Sequence, residues 1–430
     1  MENPPAPHRR ILSPDVARGL MLLGIAIANL TATAGWVLFG SGPVGLVWAP
    51  DGPVDAVVGV LNAMVVYQRG LPMFTTLLGY GIGMLLVRGS SRGATFAETR
   101  ALIRRRYLWL AVIGLLHGVF VFFGDILLIY GVLGFFVALL MLRATDRTLL
   151  RIAAILYGLM VVVLVLVFAV EMFGRTSMPE VIERLNVVMA GGTPGEAGLA
   201  QFGYLAQVVA GLLMAVSTIF GGFIGYFFLL GPVLLVGFVA ARRSMLEHAE
   251  SHRTLLRRVG FGGIAISLSG GLVVGLMNMG LLGGLPWLLT PTVLSMVTGL
   301  PGGVAAVALI ALWCLAPQQR IDAGAVSAGV PFDQLRALGR RSLSGYLFQS
   351  VVFLATLPAF TLGLIDHLTI ATGTAYAAGV WAVSVGLAWL LDRRGDPGPA
   401  ERLHRRLTYG RAASRPAPVP PVPPRPQGAS

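Results

Sequence analysis

The chain contains no lysine and only one cysteine, Cys314. A single cysteine excludes an intrachain disulfide, and within an apolar run it is expected to pack as a small hydrophobic side chain. Charged residues are also scarce, because they make up 12% of the sequence whereas soluble domains carry about 25%. These shortages exclude an ordinary soluble domain.

Apolar residues are abundant instead, at 56% of the 430 positions with a mean hydropathy of +0.78. A helix crosses a bilayer with roughly 20 such residues. The sequence therefore predicts an all-α, polytopic integral membrane helical bundle of about ten transmembrane helices. The predicted spans are residues 17–38, 55–88, 103–123, 126–142, 150–172, 204–241, 259–279, 288–315, 342–362 and 373–392.

Two of these spans are unusually long and carry signals for interruption. The second contains Gln68-Arg69-Gly70 followed by Pro72, which predicts a break or kink there. The sixth contains Gly221-Gly222 and Pro232, which predicts a short outer helix followed by a true span.

The charge of +13 comes entirely from arginine and lies mostly between spans, which favours membrane orientation over nucleic-acid binding. The opposite loops are mainly acidic. The positive-inside rule then places both termini in the cytoplasm. Residues 1–410 are predicted to form one membrane domain, and residues 411–430 a disordered, proline-rich cytoplasmic tail.

Asp15, Arg18 and Asn29 form the first candidate constellation, at the cytoplasmic end of the first span. Residues three apart share a helix face, so Asp15 and Arg18 can pair, and Asn29 lies close to the same face. The pattern predicts a polar stripe that enters the membrane. Alternatively, the pair fixes helix packing and the asparagine joins two helices.

The stretch from Tyr107 to Leu142 is apolar except for two clearly ionisable side chains, His117 and Asp125. A neutral imidazole can act as a general base, with Asp125 orienting it or stabilising its charged form. In a straight helix the two would lie about 12 Å apart, so the spacing does not show contact. The alternatives are a histidine bonded to a neighbouring helix and an aspartate that caps the next helix.

Arginine clusters on the cytoplasmic side form a third constellation. Guanidinium groups bind phosphate and pyrophosphate bidentately, so they suit a phosphorylated donor such as a coenzyme A thioester. Membrane topology and contact with anionic lipid are the alternative explanation. The candidate donor-binding residues are Arg18, Arg104, Arg105, Arg340 and Arg341.

Three further polar residues in the spans are candidate pocket residues. Arg69 is costly inside a membrane and is predicted to pair with Asp55 or Asp125. Tyr346 and Gln349 are candidate pocket donors, with interhelical hydrogen bonds as the alternative.

Several motifs in order resemble the YeiB-like family of bacterial membrane proteins, long described as a domain of unknown function. The first segment carries the family's D-x-x-R-G start at Asp15, Arg18 and Gly19. The matching segments are Ser13–Gly24 with Asn29, Leu71–Gly81, Gly114–Gly118, Gly124–Leu127, Gly339–Ser350 and Gly398–Gly410.

This resemblance implies a ten-helix fold similar to the transmembrane acyltransferases, which include the heparan glucosaminide acetyltransferases. It implies a cytoplasmic acyl-CoA donor and an acceptor reached from the other side, here an envelope glycan or lipid, in a bacterial cytoplasmic membrane. The assignment of a base to His117 comes from its position and not from the resemblance. Two other functions stay open: a transporter of a small metabolite or lipid, and a non-catalytic scaffold.

Overall fold

The computed structural model describes residues 11–31, 50–181, 184, 203–282 and 287–410, and it contains no strand in these ranges. The predicted tail 411–430 and the end of the first predicted span lie outside the described residues. The helices are α1 Leu12–Thr31, α2 Pro53–Val65, α3 Gly70–Ser91, α4 Phe96–Phe120, α5 Leu127–Leu140, α6 Asp146–Ser177, α7 Gly203–Ser217, α8 Phe223–Arg242, α9 Arg253–Asn278, α10 Thr290–Trp313, α11 Leu315–Asp322, α12 Phe332–Arg340, α13 Ser342–Thr356, α14 Ile370–Arg393 and α15 Pro399–Tyr409.

Six helical segments in the described ranges are long and apolar enough to cross a membrane. Helix α6 is the clearest, because only 11% of its most apolar window is buried and side chains such as Val165 and Val170 point outward. An apolar helix with so little buried surface fits a lipid environment. The chain is a multi-pass helical membrane protein, while ten crossings and cytoplasmic termini stay predictions. The six segments are Pro53–Ser91, Asp146–Ser177, Gly203–Arg242, Arg253–Asn278, Thr290–Trp313 and Ile370–Arg393.

The predicted break in the second span is confirmed between α2 and α3. Gln68 has a φ of 55°, in the left-handed region, and the chain turns there before Gly70. A Cβ on Gly299 of α10 would lie 2.0 Å from the Gln68 carbonyl oxygen, so the break is packed tightly against α10. The interruption is therefore a built feature of the bundle.

The prediction that Arg69 pairs with Asp55 or Asp125 is wrong. The guanidinium donates to the hydroxyls of Ser267 and Ser295 at 3.1 and 2.8 Å, and also to Thr298 at 3.4 Å. Carbonyl oxygens of Tyr67 and Ser267 take its remaining N–H groups. The chain reversal after α2 directs the side chain toward α9 and α10, where neutral oxygens surround it.

The sixth predicted span is one continuous helical body and not two separate helices. Helix α7 passes through a π-helical turn, Thr218–Gly222, directly into α8. Gly221 and Gly222 lie in this wider turn, and Pro232 lies inside α8. The extra residue in the turn absorbs the irregularity that the sequence signals suggested would end the helix.

Two close helix contacts position the candidate site residues. A Cβ on Gly114 of α4 would lie 2.1 Å from the amide nitrogen of Leu128, so α4 and α5 pack backbone against backbone. A Cβ on Gly339 of α12 would lie 1.7 Å from the carbonyl oxygen of Asp15 in α1. Small residues permit this close approach between membrane helices. The first contact brings α4, which carries His117, next to α5, and the second brings α12 next to Asp15 of α1.

Candidate functional site

His117 and Asp125 are in direct contact. Nδ1 of His117 lies 2.7 Å from Oδ1 of Asp125, and both side chains are buried. Helix α4 ends at Phe120, three residues after the histidine, and the chain reverses before α5 begins at Leu127. The straight-helix separation therefore does not apply, because the turn folds the aspartate back onto the histidine.

Asp125 also caps α5, as one of the alternatives predicted. Its Oδ2 accepts a hydrogen bond of 2.8 Å from the backbone N–H of Leu128. The Tyr346 hydroxyl lies 3.4 Å from Oδ1. One carboxylate thus contacts a helix N-terminus, an imidazole and a phenol.

The second ring nitrogen of His117 is buried and has no hydrogen-bond partner among the described residues. When Asp125 is ionised, Nδ1–H donates to it and Nε2 carries a lone pair. The imidazole ring packs beside the Tyr346 ring, with 5.1 Å between the two centroids. A buried, oriented imidazole with an unused lone pair has the arrangement that a general base needs.

A cavity of about 540 Å³ extends inward from the end of the bundle that carries Arg88, Arg106 and α15. This end is called the arginine-rich end below. The floor of the cavity includes Tyr346 and Phe74, whereas polar and charged groups surround its mouth. His117 does not line this cavity, and Tyr346 stands between the cavity and the His117–Asp125 pair.

Arg18 and Arg340 are the two predicted donor-binding arginines that line the cavity. The predicted pair of Arg18 with Asp15 is confirmed at 3.3 Å, and Asp15 also lines the cavity. Arg340 contacts Asp392 at 3.0 Å. Both guanidiniums thus face the cavity and have a carboxylate beside them.

The structure separates the other three predicted donor-binding arginines from this cavity. Arg104 and Arg105 are exposed on the outer face of α4, and Arg104 lies over the Phe135 ring. Arg341 is buried, with Asp392 at 2.8 Å and the carbonyl oxygen of Asp396 as partners. Arg341 therefore anchors the segment after α14.

Asn29 and Gln349 also lie outside the cavity, so only the Asp15 and Arg18 part of the predicted polar stripe lines it. Asn29 is half-buried on α1, and the face between it and Arg18 presents Leu22 and Ile25 to the cavity. Gln349 donates to the Ser384 hydroxyl at 3.2 Å, which is the interhelical alternative. Of the predicted pocket residues, Asp15 and Tyr346 line the cavity.

Sequence reasoning missed several cavity residues, including the whole of α15. Glu401 accepts hydrogen bonds from the backbone N–H groups of Leu343 and Ser344 at 2.8 and 3.1 Å, which caps α13. His404 contacts the Arg106 carbonyl oxygen at 2.9 Å. Residues 401, 404 and 408 recur on one helix face, and that amphipathic spacing was the available signal.

Both of these α15 side chains have shifted titration behaviour. Burial raises the pKa of the Glu401 carboxyl. Burial, together with the nearby Arg106 charge, lowers the pKa of His404 to about 4. At neutral pH the imidazole is therefore uncharged, and its Nε2–H donates to the Arg106 carbonyl.

Comparison with known proteins gives relatives along nearly the whole chain. It is 25% identical over 417 residues to the uncharacterized protein YxaH of Bacillus subtilis (strain 168), which covers 94% of this chain and 96% of the relative. It is 26% identical over 400 residues to the uncharacterized protein YeiB of Escherichia coli (strain K12), covering 92% and 95%. No solved structure matches the chain.

The model of the family described as "Protein of unknown function (DUF418)" matches residues 240–411. This region runs from the end of α8 through α15, so it includes Tyr346 and the α15 wall of the cavity. The family match and the two relatives along nearly the whole chain support the resemblance to the YeiB-like family.

Proposed function

We propose that this protein is a membrane acyltransferase. It transfers an acyl group from a cytoplasmic acyl-CoA-type thioester to a hydroxyl or amine on an envelope glycan or lipid. The observation that carries the proposal is the buried His117–Asp125 pair, which lies one side chain behind an arginine-lined cavity. That side chain is Tyr346.

The cavity supports binding of a donor with a charged head and an apolar arm. Its volume of about 540 Å³ falls within the roughly 300–1,000 Å³ that is common for small-molecule sites. Guanidinium groups at the mouth suit phosphates, and the apolar depth near Phe74 suits an acyl chain. The thioester carbonyl then lies at the Tyr346 end.

The His117–Asp125 pair supplies the proton transfer. Nε2 of His117 takes a proton from the acceptor, whose oxygen or nitrogen forms a bond to the thioester carbonyl carbon. The carbon–sulfur bond breaks, and the leaving thiolate receives the proton from the imidazolium. Asp125 holds the imidazole tautomer and stabilises its charged form.

Tyr346 controls access between the two halves of the site. Its ring packs against His117 and its hydroxyl is 3.4 Å from Asp125, while its other side faces the cavity. In the proposed reaction a side-chain rotation of Tyr346 opens the path from the thioester to Nε2.

The test is thioester-dependent acylation in proteoliposomes that contain the full chain. His117→Ala is compared with His248→Ala, which removes an exposed imidazole on the arginine-rich side. We expect acylation to fall in the first variant and to persist in the second. Equal rates in both would remove His117 from the mechanism.

Transport is a second candidate, favoured by the break between α2 and α3 and by the π-helical turn before α8. Discontinuous helices often line transporter sites. Here, however, Arg69 at the break is surrounded by hydroxyl and carbonyl oxygens of the protein itself. Substrate-driven proton flux without consumption of a thioester would favour transport.

If His117→Ala and Arg18→Ala change only stability, the non-catalytic scaffold is supported.

A further inference from the structure

The four arginines that line the cavity differ in how their charges are compensated. Arg18 has Asp15 beside it, and Arg340 has Asp392. Arg88 and Arg106 also line the cavity, but neither has a carboxylate oxygen within 4.0 Å among the residues that the structure describes. These two guanidiniums therefore differ from Arg18 and Arg340 in having no carboxylate in direct contact.

Arg88 has a second feature that suits a binding residue. Its Nε is buried and has no hydrogen-bond partner in the described part of the chain. Glu247 accepts the hydroxyl hydrogen of Tyr80, a cavity residue that also interacts electrostatically with Arg88. A buried donor without an acceptor costs free energy unless a ligand satisfies it.

Below these charges the cavity becomes apolar. Leu77 and Met84 of α3 face Leu110 of α4 along the path toward Tyr346. A simple inorganic anion would leave this apolar depth unfilled. A ligand with a phosphate at one end and an apolar or acyl arm at the other matches both parts.

We propose that Arg88 and Arg106 form a phosphate-binding site at the cavity mouth, and that the ligand is a phosphate-bearing amphiphile whose apolar arm extends between Leu77 and Leu110. This inference rests on the proposed function in taking that ligand as the acyl donor. The shared chemistry admits two sources: a water-soluble nucleotide thioester and the headgroup of an anionic lipid.

The test measures binding and not catalysis. The full chain in nanodiscs of neutral lipid is titrated with coenzyme A and with palmitoyl-coenzyme A. In a separate arm, binding of phosphatidic acid is measured with the full chain in nanodiscs that contain this lipid. The variants are Arg88→Gln and Arg106→Gln. Their matched controls are Arg92→Gln and Arg105→Gln, which remove equal charge from exposed positions, directly after α3 and on α4.

We expect Arg88→Gln and Arg106→Gln each to weaken binding about 10-fold to 100-fold, because a hydrogen bond to a charged group contributes roughly 1.5–3 kcal/mol. The controls should change affinity less than about 3-fold after correction for long-range charge. Arg88→Lys and Arg106→Lys should recover part of the affinity, and thermal unfolding checks that every variant is folded.

The ligand series separates the two sources and the two proposals. Loss of coenzyme A binding in Arg88→Gln and Arg106→Gln supports a soluble donor, and loss of phosphatidic acid binding alone supports a lipid headgroup. Binding that is lost in these variants without any acyl transfer in the native protein would keep the phosphate site and reject the acyltransferase. Equal binding by Arg88→Gln and Arg92→Gln, or no binding of any of the three ligands, would overturn the inference.

Discussion

Arg69 and His117 are both buried polar groups inside apolar helices, yet their surroundings differ. Every N–H group of Arg69 donates to a protein oxygen, from Ser267, Ser295, Thr298 or Tyr67. His117 uses one nitrogen for Asp125 and leaves the other without a partner among the described residues. The comparison teaches that burial alone does not mark a functional residue: Arg69 is occupied by architecture, whereas His117 keeps a nitrogen that can take a proton.

The largest expected effect is on acyl transfer in His117→Ala. Removal of a general base typically slows a reaction about 10²-fold to 10⁴-fold. Stability should change much less, because Asp125 keeps its bond to the Leu128 N–H. The acyl-transfer rate is measured in proteoliposomes, and stability is measured by thermal unfolding in detergent. If loss of stability explains the whole loss of rate, His117 is a structural residue like Arg69.

Arg69→Met should have the opposite profile. It deletes five hydrogen bonds, and at about 0.6 kcal/mol for each interhelical bond the unfolding free energy should fall by roughly 3 kcal/mol. Affinity for the donor should stay near the native value in the protein that folds. Specific loss of transfer in a fully stable Arg69→Met protein would instead place Arg69 in the reaction path.

His404 extends the comparison to the arginine-rich end. Its pKa is lowered to about 4 in the folded state from 6.5, so the neutral form is favoured there. The stability that it contributes is present above pH 6.5 and is lost as pH falls toward 4, and at pH 5 release of α15 should rise roughly tenfold or more. Hydrogen exchange of α15 amides measures this, and the loss of protection at low pH should be smaller in His404→Asn than in the native protein.

Tyr346→Phe should give the smallest effect. The hydroxyl is 3.4 Å from Asp125, near the limit for a hydrogen bond, so its removal should change the transfer rate less than about tenfold. Tyr346→Ala removes the ring between the cavity and His117, and the matched pair separates the hydroxyl from the ring. A Phe variant as slow as His117→Ala would make the hydroxyl itself essential.

Hydropathy and span length identified the six segments that are long and apolar enough to cross a membrane, and Gln68-Arg69-Gly70 with Pro72 located the break after α2. Those signals are local, so they can be interpreted from neighbouring residues alone. The contact between His117 and Asp125 depends on how the chain reverses after Phe120, which spacing along a helix does not define.

The arginines show a second limit of sequence reasoning. Arg104, Arg105 and Arg106 are consecutive, and successive helical residues point about 100° apart, so these three cannot all face one cavity. Only the packing of α4 shows that Arg106 faces inward while Arg104 and Arg105 are exposed. The run of three arginines therefore contains one cavity residue and two surface residues, which the sequence alone does not distinguish.

The α15 wall makes the cavity a product of both ends of the membrane domain. Asp15 and Arg18 of α1 and Glu401 and His404 of α15 line the same space. A ribosome must therefore finish α15 before this chamber exists, and a nascent chain held short of it would lack one side of the chamber. In the proposed function, donor binding therefore requires that α15 has been synthesised and has packed against the rest of the cavity.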